Sequence, residues 1–373
     1  MLRFRIAAVA PVSMALMLVL SACGGSGISD ARTASGKKVS EATSLSDFGS
    51  LDQLVQAAKA EGQLNVIGVP RDWSNYGAII DSFSETYGIK VNELQPDASS
   101  ADEIAAAKNN KGLDIAPDVF DIGDTVAQQS TTYFAEYRNQ HWGNIDDKLK
   151  DPSGLYVASE GGYMSIGFDS AKVPTPSSFA ELLKPAYKGT AISGDPTKTS
   201  VGLAGVGLAT LQEGGTLDDY GPGIDFFARL RNAGNLVSVK PSAATVTSGE
   251  TRVVISYDYS NVAYGRDVPG WRVVIPAGAA YGGYLYQAIN KNAPHPAAAR
   301  LWQEFIYQPQ VQNLWIKAGA RSPLEASMQR SGEIDQQALA ALPPAPARVV
   351  IPTVEQATKA GELVNKKWAA AVG

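Results

Sequence analysis

Trp73 and Tyr76 in an otherwise polar loop, Asp195 and Lys198 at the start of a helix, and Tyr257-Asp258-Tyr259 at the end of an apolar strand are the side chains best placed by type and spacing to do chemistry. The chemistry they offer is the holding of a solute. Two rings in a polar loop must bury against something, either the chain itself or a ligand. Asp195-Pro-Thr-Lys198-Thr199-Ser200 sets a lysine and two hydroxyls at a helix N-terminus, where free N–H groups and the helix dipole favour an anion. Thr199 or Ser200 can equally serve only as the cap of that helix. Along an extended Tyr257-Asp258-Tyr259 the two rings point to one side and Asp258 to the other. These oxygens can hold a hard metal or contact an amine. Asp124 adds a loop carboxylate after Gly123, and Tyr284 follows Gly282-Gly283 at a crossing segment.

The scarce residues narrow the choice. One cysteine, Cys23, and two histidines, His141 and His295, leave no internal disulfide, zinc cluster or Cys/His relay. His295 between two prolines reads as an exposed turn opening a helix, and His141 as a loop residue beside Trp142. A net charge of -5 provides no basic field for nucleic acid. With 45% hydrophobic and 18% charged residues, the 373-residue chain can fold as two domains or one large one. A hydrolase would need a Ser-His-acid or Ser-Lys set. The stretch around Ser165 is spaced GxxSxG, which is not a nucleophile elbow, and the glycines at 202, 205 and 207 fall inside a helix rather than in a dinucleotide fingerprint. A lipid-anchored hydrolase is therefore the minor enzyme alternative, and no enzyme, cofactor or resident metal is expected.

The elements that must position these residues alternate between strand and helix. Leu51 to Glu61 has helical apolar spacing, Leu64 to Val69 reads as a buried strand, Ile79, Ile80 and Phe83 share a helix face, and Ile89 to Val91 is a second strand. Strand, helix and strand at this spacing predict a parallel βαβ unit. Ser100-Ala-Asp-Glu103 predicts a capping box. Tyr163 to Phe168 reads as a crossing segment, after which the pattern restarts and returns near Tyr284 to Ile289. The expected fold is α/β with two lobes, lobe 1 from residues 48–162 and 288–325 and lobe 2 from 163–287 and 326–373.

At the N-terminus, Arg3 and Arg5 precede the apolar run Ile6 to Leu20 and then Leu20-Ser21-Ala22-Cys23. The run is shorter than the about 20 residues of a membrane span and has the layout of an export signal. Small residues before a cysteine resemble the lipobox of bacterial lipoproteins. That resemblance implies cleavage after residue 22 and a lipid on Cys23, anchoring the protein to the extracytoplasmic side of the cell membrane. Residues 23–47, rich in Gly, Ser, Ala and Lys, are expected to be the lipidated cysteine and a flexible tether.

From Gly62 to Pro323 the order of segments resembles the periplasmic-binding-protein class of ABC importers, in the branch handling polyamines, ferric iron and phosphonates. Gly62-Gln-Leu-Asn-Val66, Trp73-Ser-Asn-Tyr76, Phe83 to Val91, Ala116 to Asp121, Ser178 to Lys188, Gly189 to Pro196, His295-Pro296 and Arg321-Ser-Pro323 carry it. The resemblance implies two lobes that close on a small polar solute, a monomer that delivers it to a permease and ATPase, and no covalent chemistry. Trp73 and Tyr76 are similar to the rings that hold an alkylammonium chain in polyamine-binding members, and Asp195 falls where those members have a carboxylate. Lys198 departs from their pattern, which keeps phosphorylated or phosphonate solutes open. An aspartate also separates the tyrosines that iron-binding members place side by side. The reading is an amine-bearing solute, polyamine or aminophosphonate-like, with ferric iron or a phosphorylated solute as the alternative, held by Trp73, Tyr76, Asp124, Asp195, Lys198, Thr199, Tyr257, Asp258, Tyr259 and Tyr284.

Overall fold

The computed structural model describes residues 31–373, so Cys23 and the segment before it lie outside the described residues. In chain order, lobe 1 holds α1 (Leu45–Phe48), α2 (Leu51–Glu61), β1 (Gln63–Ile67), α3 (Tyr76–Tyr87), β2 (Lys90–Leu94), α4 (Ser100–Asn109), β3 (Val119–Gly123), α5 (Asp124–Gln129) and β4 (Phe134–Ala135). The long strand β5 (Val157–Asp169) then crosses into lobe 2. There follow β6 (Thr190–Ile192), α6 (Ser200–Gln212), α7 (Gly221–Asn232), α8 (Ala243–Ser248), β7 (Val253–Tyr257), α9 (Asp258–Tyr264) and β8 (Trp271–Val274). Strand β9 (Ala279–Asn290) crosses back to α10 (Pro296–Ile306), α11 (Pro309–Lys317), α12 (Glu325–Ser331) and α13 (Gln336–Ala341), and β10 (Arg348–Val350) and α14 (Val354–Ala371) close lobe 2.

The two crossing strands are the shared spine. β5 and β9 pair antiparallel from Val157↔Gln287 to Tyr163↔Gly282, with a register shift between Ala158 and Glu160. β3 and β4 add to β9 in lobe 1, and β7 and β8 add to β5 in lobe 2. The expected βαβ unit forms: β1 and β2 are parallel, Leu64 beside Val91, with α3 between them. Local signals fix its ends. Ser50 accepts from Gln53 N to start α2, and Gly62 at φ 77° and Gly88 at φ 68° stop α2 and α3 in the left-handed conformation that favours glycine. The capping box of α4 lies one residue earlier than its sequence pattern suggested, between Ser99 and Asp102. Ser100 instead accepts from Gly123 N, and Glu103 is drawn inward to accept from Asp121 N.

Each lobe has its own apolar core. Lobe 1 packs α2, α3, α10 and α11 through Phe83, Trp302, Phe305 and Trp315, and lobe 2 packs Ile166, Phe168, Phe226, Phe227, Ile255 and Val364. Two boundaries differ from expectation. Met328, Ile334 and Leu342 are buried in the core of lobe 1, so α12 and α13 stay with that lobe. Residues 31–47 fold onto lobe 1 instead of forming a tether. Val39 and Ala42 are buried, and the Arg300 guanidinium donates to the carbonyls of Ser40 and Ala42 at 2.7 and 2.8 Å. Asp47 gathers the Thr43 backbone N–H, the Thr43 hydroxyl and Lys37. Composition alone judged this segment unable to fold, but its carbonyls are satisfied by an arginine on α10, about which composition is silent.

His295 also differs from expectation. It is buried at 3% exposure, with Nδ1 2.8 Å from Asp118 Oδ2 and its backbone N–H donating to Asp118 Oδ1 at 2.7 Å. Burial opposes the charged imidazole, but the hydrogen bond and charge of Asp118 outweigh it and raise the pKa of His295. A histidine raised in the folded state contributes stability that is complete below its unfolded pKa and lost as pH rises through the folded one. His295→Asn is expected to destabilise the protein by about 2–4 kcal/mol. Urea denaturation should show the gap to the parent narrowing as pH rises above the ordinary histidine value of about 6.5; a pH-independent gap would contradict the ion-pair assignment.

Candidate ligand cleft between the lobes

The cleft floor is built from the glycines of the crossing strands. Gly161 and Gly162 of β5 face Tyr284 and Gly283 of β9. A Cβ on Gly161 would lie 2.5 Å from the Tyr284 ring, and one on Gly162 would collide with the Asp258 carboxylate and the Tyr259 ring. A Cβ on Gly283 would collide with the Tyr257 hydroxyl. Without side chains at these positions, the rings of Tyr257, Tyr259 and Tyr284 lie directly on the backbone that joins the lobes.

Tyr257 and Tyr259 stack at 5.4 Å with their planes 6° apart. They share one side as alternation predicted, although Asp258 opens helix α9 instead of continuing the strand. Trp73 comes from lobe 1, edge-on to Tyr259 at 6.3 Å and stacked on Tyr76 at 5.6 Å. The lobes thus meet ring to ring. Trp73, Tyr257 and Tyr259 are half-buried, as a cleft wall should be; Tyr284 is half-buried too, but alternation along the strands sets its ring on the opposite face of the ribbon, beside Tyr163. Asp124, the first residue of α5, is half-buried too, and its charge acts on Tyr257 and Tyr286. Burial raises its pKa, and Gln128 Nε2, at 2.5 Å from Oδ1, partly offsets this; among the described residues no cation is its partner.

The other candidate residues are engaged elsewhere. Tyr76 is fully buried, its hydroxyl 3.4 Å from Glu160 Oε1 and 3.2 Å from Gln287 Nε2. It supports Trp73 from behind. Asp258 uses both oxygens internally: Oδ1 accepts the N–H groups of Tyr163 and Tyr259, and Oδ2 is 3.3 Å from Arg321 Nε. Asp195 and Lys198 form an exposed turn, 3.1 Å apart, in which Asp195 also accepts from Thr197 and Lys198 is 77% exposed. Hydrogen bonds from the Thr197 hydroxyl and backbone, then Lys198, hold the Asp195 carboxyl below its usual range. Thr199 is the N-cap of α6, accepting from Gly202 N.

Arg321 is the important residue that sequence reading passed over. Its backbone N–H and C=O bond both polar groups of Gly161, its Nε reaches Asp258, and its guanidinium lies 4.6 Å over the Tyr163 ring. Arg321 follows α11 of lobe 1 and Asp258 begins α9 of lobe 2, so this buried ion pair ties the lobes together where β5 crosses. Burial raises the Asp258 pKa to about 6 even though Arg321 pulls it down. Glycine also shapes this contact: Gly319, at φ 98°, brings its backbone against Tyr259 and Val262 of α9. Beside it a cavity of about 310 Å³ separates α9 from α11 and α13. Among the described residues no group of three or more His, Cys, Asp or Glu side chains could hold a metal ion.

A two-lobed α/β protein whose crossing strands carry an aromatic wall between the lobes is built to enclose a solute, and the comparisons agree. Residues 115–349 match the family model of the bacterial extracellular solute-binding proteins, and the chain belongs to that family. No curated protein matches the chain. The fold is similar to that of an ABC transporter substrate-binding protein from Bradyrhizobium japonicum USDA 110, at TM-score 0.67 and 16% identity over 84% of this chain and 100% of that one. It is also similar to a ferric binding protein from Campylobacter jejuni, at TM-score 0.61 and 15% identity over 83% and 99%. A protein named for spermidine/putrescine ABC transport from Listeria monocytogenes matches at TM-score 0.59 and 14% identity over 82% and 99%. Among the described residues no helix is long and apolar enough to cross a membrane.

Proposed function

We propose that the protein captures a small polar, amine-bearing solute between its lobes and delivers it to the permease and ATPase of an ABC importer. In this reading it works as a monomer held at the membrane by lipid on Cys23. Asp124 carries the reading: a half-buried carboxylate with no cation partner among the described residues, its charge reaching Tyr257 in a cleft where Trp73 meets the stacked Tyr257 and Tyr259. Ring faces attract an alkylammonium, most strongly when it is desolvated, and a carboxylate neutralises it. The lysine that spoke for an anion is paired with Asp195 on an exposed turn, which favours the cationic solute over the phosphorylated one. Lobe closure follows from differential affinity, because only the closed form lets the solute touch both lobes.

Mass spectrometry of small molecules released from the purified protein tests this reading: an amine is expected, and a purely anionic solute would overturn it. Affinity should also depend on pH. The Asp124 pKa is raised by burial, so the ammonium-binding carboxylate is lost as pH falls through that raised value. Asp124→Asn should bind the amine at least about tenfold more weakly and show a flatter acid limb in titration calorimetry; an unchanged limb would remove Asp124 from the site.

A further inference from the structure

Two carboxyl groups that take no part in the cleft lie between the sheet of lobe 1 and its helices. Asp121 on β3 is 5% exposed and Glu160 on β5 is 1% exposed. Asp121 Oδ1 accepts from Gln287 Nε2 at 2.8 Å and from Ser159 Oγ at 3.4 Å, while Oδ2 has no donor. Glu160 Oε1 accepts the Tyr76 hydroxyl at 3.4 Å, while Oε2 has no donor. The titratable groups that face the pair are Tyr76 from α3, Glu103 from α4, Tyr307 after α10 and Tyr259 from α9. None of them is a cation. An unpaired buried carboxylate is strongly penalised, and two in one enclosure repel each other as well. Tyr76 and Gln287 link the two, the Tyr76 hydroxyl lying against Glu160 and the Gln287 amide donating to both that hydroxyl and Asp121, so one proton held by either carboxyl removes the repulsion between them.

We propose that Asp121 and Glu160 share a proton, which makes the pair a proton-binding site that joins β3 to the crossing strand β5. The place matters. Glu160 stands at the register shift of β5 and directly before Gly161, whose backbone is bonded by Arg321. Through Tyr76 it is one hydrogen bond from the Trp73 stack that meets Tyr259 of lobe 2. The site therefore lies where lobe 1 hands the chain to lobe 2, and its occupancy sets whether that junction is held together or pushed apart by like charges. Burial is the main cause that brings Asp121 up to about 7 and raises Glu160 well above its ordinary value. For acids raised on folding, the stability they contribute is complete below their unfolded pKa and is lost as pH rises through the folded values, here through neutrality. The inference does not depend on which solute the cleft takes.

The test is a pair of measurements on the full chain. Infrared difference spectroscopy, parent minus Asp121→Asn/Glu160→Gln, is expected to show the band of a protonated carboxylic acid at neutral pH that disappears on alkalinisation. Thermal denaturation is expected to show Glu160→Gln gaining on the parent as pH rises from about 5 to about 8.5, because the amide stays uncharged at every pH. A difference spectrum with ionised carboxylates only, or a pH-independent offset in melting temperature, would overturn the proposal. If the double variant does not fold, the neutral-minus-alkaline difference spectrum of the parent is compared with that of each single variant: a band altered by both substitutions is expected, and one left unaltered by either would overturn the proposal.

Discussion

Replacing Arg321 with methionine is expected to destabilise the protein by about 3–5 kcal/mol, the usual consequence of removing one partner of a buried ion pair. Asp258 would keep the two backbone N–H groups on Oδ1 but lose the donor on Oδ2, with both residues at or below 3% exposure. The pair is not itself a large source of stability: burial already holds the Asp258 pKa at about 6 against the pull of Arg321. What the substitution exposes is the penalty of leaving one charge without the other. Adding Asp258→Asn should therefore recover much of the loss, and a double-mutant cycle should give a coupling of about 1–3 kcal/mol. Additive losses would mean that Arg321 acts only through its bonds to Gly161 and Pro343 and its packing on Tyr163.

The second large effect falls on binding. Trp73→Ala removes the ring that reaches from lobe 1 to Tyr259, together with its stack on Tyr76. A desolvated cation–π contact of about 2 kcal/mol corresponds to roughly a thirtyfold loss of affinity for a cationic solute. The loss of thermal stability without solute should be smaller, because Trp73 is only half-buried. Equal affinity in the variant would take Trp73 out of the cleft and leave the wall to lobe 2.

Sequence patterns carried the α/β alternation, the βαβ unit at β1 and β2, and both crossing segments, because each depends on local periodicity. They also placed Tyr257 and Tyr259 on one side. The partners of these residues were not legible. Asp258 finds Arg321 after a separation of 63 residues, and Glu160 finds Tyr76 after 84. No spacing rule reports contacts of that kind. Lys198 misled for the opposite reason: its partner Asp195 is three residues away, and the pair spends its charge on a turn at the surface. The glycines of β5 and β9 were the available clue to the cleft, since paired glycines on two crossing strands leave room only for rings from elsewhere.

Titration calorimetry on ligand-stripped protein, comparing putrescine with a phosphorylated sugar lacking an amine, tests the central claim most directly. The account predicts saturable binding of the amine, weakened by Trp73→Ala and Asp124→Asn, and no binding of the sugar phosphate. Binding of the sugar phosphate with none of the amine would contradict it.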